Sequence, residues 1–486
     1  MQLSSVEGQQ MPKVLMAISS DIYVRNYLRT DALTILRKEF SVDIIADKNL
    51  ALSDEIARHP NFKGFFTLDS RVVAKHHLLF NLLMWRYRKK SRTFLYRWLR
   101  NSQWHLIRRE GSPLARIGST LSWFARAARN PHGLRIPLLA NRFVFPLASR
   151  ILQKLIPLEN DLRSFVATGQ YDLVIFPSAA FDSVSVDLTR LGRIYDVPTL
   201  CLIDNWDNLT SKTVFWEKPD FLGVWGQQAS EQAQFIHGFL PEQVRLLGTP
   251  RFDSYFDYRA KLAIKRHYKF PYLLFVGSAM PFDEIGTLRV LDRMLTEDQG
   301  TPKGLRVVYR PHPWQQKRNS PAIFNPSDFT NIILDLQMKT AFDRGLQPER
   351  TEPGFQPDLD YYPSLLAGAE AVVGPLTTML FEASLCLRPV VALSYFDGFH
   401  PNTGRRYFIH FEGMDRVPGF EFCEEPSNLP QLVKRSLNHE AISPESSDSE
   451  TSYFLFRDRR SYSQRLSNAV KQVIADEAKN SPSRKP

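Results

Sequence analysis

The chain has 486 residues, 43% of them hydrophobic and 12% aromatic, which excludes a disordered protein and exceeds what one ordinary core accommodates. Two α/β lobes of roughly 200 residues each are therefore expected. The formal net charge of +11 is uneven: Arg71 to Lys154 carries eighteen Lys/Arg against one acid, Glu110, a net of +17 that leaves −6 for the remainder and excludes a uniform surface.

The Met1–Pro12 segment is polar, without a basic n-region and apolar h-region, so no secretory signal is expected. A first strand is predicted at Lys13–Ile18, a polar loop at Ser19-Ser20-Asp21, a helical stretch through Leu28, Leu33 and Leu36, and a second strand at Ser41–Ala46. This is the opening βαβ of a parallel sheet whose strands are buried on both faces. No G-x-G-x-x-G follows the first strand, which removes the usual dinucleotide fingerprint. From about 71 to 158 aromatic residues and leucines interleave with arginines at helical spacing, as in Phe94-Leu95-Tyr96-Arg97-Trp98-Leu99-Arg100, so helices inserted in the first lobe are expected. Strands resume at Tyr171–Phe176, Val197–Ile203 and Phe221–Gly226, followed by a helix over Gln227–His237 and a short strand at Val244–Gly248. A charged stretch after Asp253 connects the lobes. The second lobe restarts at Tyr272–Val276, with further strands at Leu305–Tyr309, Ala371–Val373 and Pro389–Leu393. Two blocks of alternating strands and helices predict two doubly wound lobes facing a cleft. Ser443–Ser452 and the end from Asn480 are too polar for a core and are expected to be loop or disorder.

Three features of the second lobe fall just after strands, where open parallel sheets bind ligands. Gly277-Ser278 leads into a helix start, where glycine permits close approach to a phosphate and free amides supply partial positive charge; a plain strand-to-helix turn has the same pattern. In Arg310-Pro311-His312-Pro313 two prolines fix the direction of His312 beside an arginine, a pairing suited to phosphate contact or protonation of a leaving phosphate, although a rigid structural loop reads alike. After the third strand, Thr377 and Thr378 stand at a helix start, as caps or ligands, and Glu382 follows four residues after Thr378 on the same face in an otherwise apolar sequence. Such a carboxylate either reaches solvent or binds something, and a ribose diol suits it.

The strand followed by Arg-Pro-His-Pro, the paired hydroxyls and the run Leu380-Phe381-Glu382-Ala383-Ser384-Leu385-Cys386-Leu387-Arg388-Pro389 resemble GT-B glycosyltransferases of the bacterial surface-polysaccharide type. These include HP-motif sialyltransferases and CDP-glycerol glycerophosphotransferases, and the non-hydrolysing UDP-sugar 2-epimerases share their lobe plan. The resemblance covers about 170–400 and, more loosely, the first 50 residues. It implies two Rossmann-like lobes: an N-terminal acceptor lobe over 12–255 that includes the insert 71–158, a donor lobe over 268–440, and a partly disordered tail over 441–486 with room for a closing helix. It implies that His312 contacts the donor phosphates, Thr377 and Thr378 a phosphate or the base-side ribose, and Glu382 the ribose hydroxyls; Gly277, Ser278 and Arg310 join them as donor-binding candidates on the reading of their own residues. No E-x7-E pair is present, since Glu370 and Glu382 are twelve apart, which favours inversion.

Inversion needs one carboxylate to take the acceptor proton. Asp21, after the first strand, occupies the loop where many GT-B enzymes place it. Asp204 and Asp207 lie in Asp204-Asn205-Trp206-Asp207-Asn208-Leu209-Thr210-Ser211-Lys212, a stretch similar to one in these polysaccharide enzymes, in which Lys212 is suited to offset phosphate charge. An Asx-rich turn is the plainer reading of that stretch, and at most one of the three aspartates is the base. His312 is the remaining catalytic candidate. Asp358-Leu359-Asp360 has the letters of a metal-binding D-x-D but follows a Pro/Gly-rich loop; no cofactor and no metal are expected.

The basic insert suits an anionic membrane surface, nucleic-acid phosphates, or a solvated helical face. No nucleic-acid motif accompanies the charge, and an enzyme acting on lipid-linked or capsule glycans must reach a membrane. The protein is thus expected in the cytoplasm, peripheral at the inner face of the plasma membrane, with three distant cysteines as free thiols. Two rivals stand beside the transferase: a sugar-nucleotide epimerase, and a non-catalytic glycan- or membrane-binding scaffold.

Overall fold

The computed structural model describes residues 11–480 except 105–106, 108–110, 131, 179–181, 261–266, 281, 298–300, 313–323, 344–360 and 398–404. The chain forms two compact units: Met1–Arg86 with Pro137–Pro250 and Phe456–Pro486, and Tyr87–Ile136 with Arg251–Leu455.

The strands, in chain order, are β1 (Lys13–Ile18), β2 (Ser41–Asp47), β3 (Phe62–Phe66), β4 (Leu173–Ser178), β5 (Thr199–Ile203), β6 (Phe221–Val224), β7 (Val244–Leu246), β8 (Tyr272–Val276), β9 (Arg306–Arg310), β10 (Ile332–Leu334), β11 (Ala371–Pro375), β12 (Val390–Leu393) and β13 (Phe420–Cys423). The helices used below are α1 (Ser70–Tyr87), α2 (Arg92–Asn101), α3 (Pro113–Arg129), α4 (Phe145–Leu155), α5 (Ser183–Ile194), α6 (Gln227–His237), α7 (Asp253–Ala260), α8 (Glu284–Glu297), α9 (Thr378–Leu385), α10 (Pro444–Thr451) and α11 (Tyr462–Asn480).

The first unit holds a seven-stranded sheet in the order β3-β2-β1-β4-β5-β6-β7, all parallel. The second holds a six-stranded parallel sheet in the order β10-β9-β8-β11-β12-β13. The central strands Val-Leu-Met-Ala-Ile, Leu-Val-Ile-Phe and Tyr-Leu-Leu-Phe-Val are buried along their length, because helices cover both faces. Both sheets have the doubly wound order in which the chain reverses direction beside its first strand. The reversal lies between β1 and β4 in one sheet and between β8 and β11 in the other, and each leaves a crevice at the carboxyl ends of the strands.

Three strands absent from the sequence reading, β3, β10 and β13, are all edges. Their segments Phe-Lys-Gly-Phe-Phe, Ile-Ile-Leu and Phe-Glu-Phe-Cys are short or interrupted by polar residues, as half-covered strands are. The continuous helix expected after β1 is broken into Asp21–Tyr23, a π-turn over Val24–Leu28, and short turns at Asp31–Leu33 and Leu36–Glu39.

Two expectations need correction. Ser443–Ser452 is ordered: Ser443 caps α10 through its Oγ, Pro444 occupies the first turn, and Ser447 and Thr451 are buried. The polar composition hid a helix whose side chains bond their own backbone. The insert 71–158 does not belong whole to the first lobe, because the units divide within it. α1 places Leu79, Phe80 and Leu82 in the first unit, whereas α2 joins the second through Thr93 and Tyr96. α11 closes the first unit: Tyr462, Leu466, Val470 and Val473 are buried in the core that holds Val14, Leu33 and Leu36.

Candidate functional site

In the second unit the loops after β8 and β11 flank the crevice. Gly277 donates its N–H to the Arg310 carbonyl at 2.8 Å, tying the loop to the end of β9. Ser278 is buried; its N–H bonds Glu284 Oε1 at 2.9 Å and its Oγ donates to the Leu376 carbonyl at 3.3 Å, so the two loops are joined directly. A Cβ on Gly374 would lie 2.2 Å from the Val276 carbonyl oxygen, so only glycine lets β11 approach β8 this closely. Thr377 is the N-cap of α9, extended at φ −145° and ψ 155°, yet its side chain makes no capping bond; Thr377 and Thr378 are both half-exposed. That leaves two hydroxyls and the first amides of α9 available at the switch point.

A small open pocket lies there, lined by Ser278, Met280, Phe282, Pro375, Leu376 and Leu393 together with Tyr96 and Phe408. Tyr96 comes from the basic insert. α2 reaches this place because the Thr93 hydroxyl bonds the Tyr407 carbonyl and Tyr96 packs 5.4 Å from the rings of Tyr407 and Phe408. One turn on, Arg100 Nη1 stands 3.1 Å from Met280 Sδ, which puts an insert guanidinium beside the loop after β8. Sequence reasoning missed Tyr96 and Arg100. Helical spacing marks which face of α2 is apolar, but no local signal says which sheet receives it.

Arg310 and Glu382 are both committed to protein partners. Arg310 is buried, its guanidinium paired with Asp335 and donating to Gln337 Oε1 at 2.7 Å, with its charged end 4.4 Å from the Tyr362 ring. Burial alone would lower its pKa, but Tyr362 and Asp335 outweigh burial and hold it above the ordinary value. Asp335 also accepts from Tyr268 at 3.1 Å and from Tyr361. Glu382 is buried and accepts from Arg251 Nη2 at 3.2 Å and from the Tyr255 hydroxyl, whose pKa is pushed well up first by burial and then by the Glu382 charge. A ligand reaching either side chain must first displace a buried partner, so in this arrangement both position the loops around them. His312 is half-buried just beyond β9; Pro313 and Asp358–Asp360 lie outside the described residues.

In the first unit the three expected aspartates are brought to the carboxyl ends of β1 and β5 and are likewise engaged. Asp21 accepts the amides of Leu52 at 3.0 Å and Ala51 at 3.3 Å. Asp204 is buried and accepts from Asn26 Nδ2 at 2.7 Å. Asp207 accepts the Ser211 hydroxyl at 2.9 Å and pairs with Lys212 at 3.2 Å.

A fourth carboxylate, missed by sequence reasoning, has the more reactive setting. Asp182 caps α5 beyond the end of β4, with Oδ1 accepting the amides of Val184 at 3.0 Å and Ser185 at 3.4 Å. Ser19, from the loop after β1, donates to its Oδ2 at 3.2 Å. Asp182 therefore bridges the two loops of the switch point. Its enclosure pushes its pKa up to about 6 against the Ser19 and amide bonds, which pull down. It lines a small pocket whose walls carry the hydroxyls of Ser178, Ser185, Thr189 and Thr213, the carboxylate of Glu217 and the rings of Phe80, Phe176 and Phe215. In sequence Asp182 looks like an ordinary N-cap. Its position becomes informative only once β4 is known to pair with β1 across more than a hundred residues.

Among the described residues no three His, Cys, Asp or Glu side chains converge to hold a metal ion, and no helix is long and apolar enough to cross a membrane. Cys201, Cys386 and Cys423 are free and buried.

No family model and no curated protein matches the chain. Solved structures do. A UDP-N-acetylglucosamine 2-epimerase from Rickettsia bellii superposes over 97% of this chain and 98% of its own at 12% identity and a TM-score of 0.50. A Methanocaldococcus jannaschii UDP-GlcNAc 2-epimerase in complex with UDP-GlcNAc and UDP matches over 95% and 99% at 11% identity and a TM-score of 0.45. Acinetobacter baumannii MurG matches over 95% and 100% at 10% identity and a TM-score of 0.41. With two parallel sheets of doubly wound order and the overall superposition on the Rickettsia structure, the chain has an α/β fold of two Rossmann-like lobes, the GT-B plan.

Proposed function

We propose that the protein is a GT-B glycosyltransferase that moves a sugar, or a polyol phosphate, from a nucleotide-activated donor to a surface-polysaccharide or lipid-linked glycan, with inversion and without a catalytic metal. The observation that carries this reading is the switch-point crevice of the second unit. There the loop after β8, two half-exposed hydroxyls and the open start of α9 meet, with Arg100 beside them. Backbone amides and hydroxyls suit phosphate oxygens, and a guanidinium balances the charge of a leaving nucleotide. Arg310 and Glu382 brace β9 and α9 through Asp335, Arg251 and Tyr255, and His312, just beyond β9, is the proposed donor to the leaving phosphate.

The acceptor side falls to the crevice of the first unit. In an inverting displacement the acceptor oxygen bonds the anomeric carbon as the bond to the phosphate oxygen breaks. The acceptor proton passes to a carboxylate and the nucleotide leaves with the electron pair. Asp182 joins Asp21, Asp204 and Asp207 as a candidate base and is the one we favour. A carboxyl of pKa about 6 is ionised at neutral pH yet basic enough to share a proton, and hydroxyl-lined walls with aromatic faces suit a sugar.

The test is thermal stabilisation by UDP, CDP, CMP, GDP and ADP, each variant measured against its own baseline, for wild type, Thr377→Val, His312→Ala and Glu382→Ala. A nucleotide that stabilises wild type and clearly less so the variants supports the site; equal stabilisation of all four, or none by any nucleotide, overturns it. Turnover of a UDP-sugar with no acceptor present would replace transfer by epimerisation.

A further inference from the structure

Of the sixteen large hydrophobic side chains exposed among the described residues, nine lie between Leu114 and Leu155. Scattered exposed leucines need no explanation, but these are aligned. On α3, Leu114, Ile117, Leu121 and Phe124 recur at spacings of three and four, so they share one face, and each is 48–81% exposed. The opposite face is anchored: Trp123 and Ala127 are buried, and Trp123 Nε1 donates to the Ser102 carbonyl at 2.8 Å. A Cβ on Gly118, beside the exposed stripe, would meet nothing within 4 Å, so the stripe faces open space.

The first unit repeats the arrangement independently. Phe143, Leu147, Ile151 and Leu155 recur every four residues through α4 and the residue pair before it, each 49–76% exposed, and no residue of α4 is buried. The helix is nevertheless held in place. Lys75 of α1 bonds the Leu155 carbonyl at 2.7 Å, and Arg86 lies 4.4 Å from the Phe145 ring while its Nη1 donates to the Ala140 carbonyl at 3.3 Å. A helix tethered to the fold with its apolar stripe outward is built to bury that stripe against something else.

Charge identifies the occupant. Arg116, Arg126 and Arg129 on α3 and Arg142, Arg150 and Lys154 along α4 are exposed, and no acid occurs between Glu110 and Glu159. A protein partner of ordinary composition would not require two apolar stripes surrounded by cations alone. An anionic lipid surface accepts both at once, with apolar side chains entering the acyl boundary and arginines on the headgroups. We propose that α3 and α4 are each a docking element for an anionic bilayer surface, lying in the interface without crossing it, and each is tested by itself. This stands independently of the reaction proposed above.

Flotation of the full chain with phosphatidylcholine vesicles, with and without phosphatidylserine, tests it. Binding is expected only with the anionic lipid and is expected to fall with added salt. Arg142→Gln, Arg150→Gln and Lys154→Gln are each expected to weaken it about fivefold, from roughly one basic residue's share of the attraction. Leu147→Gln with Ile151→Gln, and separately Leu121→Gln with Phe124→Gln, are expected to weaken it further without changing the nucleotide-induced thermal shift or the far-ultraviolet circular dichroism. Absence of flotation, equal binding to neutral vesicles, or a self-association that the same substitutions dissolve overturns the proposal.

Discussion

The two units wind their sheets in the same order yet furnish the switch point in opposite ways. In the first, the loops after β1 and β4 are bridged by a carboxylate, Asp182, whose pKa is raised to about 6. In the second, the loops after β8 and β11 are joined by a hydroxyl bonded to a carbonyl, Ser278 to Leu376, and the charged groups nearby are paired off in walls. The common topology supplies a crevice; only local residues decide whether it is equipped to move a proton or to hold an anion. A crevice of amides, hydroxyls and one arginine welcomes phosphate, and an enclosed carboxylate repels it. That contrast is the physical basis of the acceptor and donor sides proposed above.

The sharpest way to break the contrast is Asp182→Asn. If Asp182 is the base, transfer is expected to fall by about 10² to 10⁴ with the nucleotide shift unchanged. Loss of the nucleotide shift instead would make the assignment of the two crevices wrong. The same residue shapes stability. A carboxyl whose folded pKa exceeds its unfolded value contributes stability that is fully present below the unfolded value, near 4, and is lost as pH rises through the folded value. Asp182 at about 6 and Asp187 at about 7, the latter raised mainly by burial, should therefore make the wild type less resistant to urea as pH rises from about 4 to 7. For Asp182 the loss is at most about 3 kcal/mol, since its carboxylate keeps partial access to water. A smaller pH slope is expected in Asp182→Asn; an unchanged slope would remove Asp182 as its source.

How much of this contrast was legible in sequence follows from what sets each part. Central strands such as Tyr272–Val276 are read easily because burial on both faces demands unbroken apolar runs. Gly277, Ser278, Thr377 and Thr378 could be singled out as candidates because each lies just past such a strand. Arg310 and Glu382 could be singled out too, but their burial partners Asp335, Arg251 and Tyr255 are 25, 131 and 127 residues away, and separation of that kind leaves no local trace. The same blindness hid Asp182 and the capture of α2 by the second unit. Local spacing reveals a helix face and not its destination.

Walls and ligands can be separated next. Asp335→Asn leaves the buried Arg310 charge uncompensated and weakens the bonds from Tyr268 and Tyr361, so a loss of about 3–5 kcal/mol in unfolding free energy is expected. Urea denaturation followed by fluorescence measures it. A loss below 1 kcal/mol would mean that Arg310 has another partner ready, and its standing as a phosphate ligand would return.

The smallest expected effect on stability is the most discriminating for the donor side. Arg100→Gln removes an insert guanidinium that touches only Met280 Sδ among the described hydrogen bonds of its own side chain. Loss of a neutral sulfur contact should change stability by less than 1 kcal/mol. A charge-assisted bond to phosphate is worth about 1.5–3 kcal/mol, so nucleotide affinity should weaken by roughly ten- to a hundredfold. The comparison within one variant is what matters, because a merely structural arginine would move the two quantities together. Titration calorimetry with whichever nucleotide stabilises the wild type separates them. If affinity is unchanged, α2 packs against the donor crevice without serving it, and the phosphate site rests on the loop after β8 and the start of α9 alone.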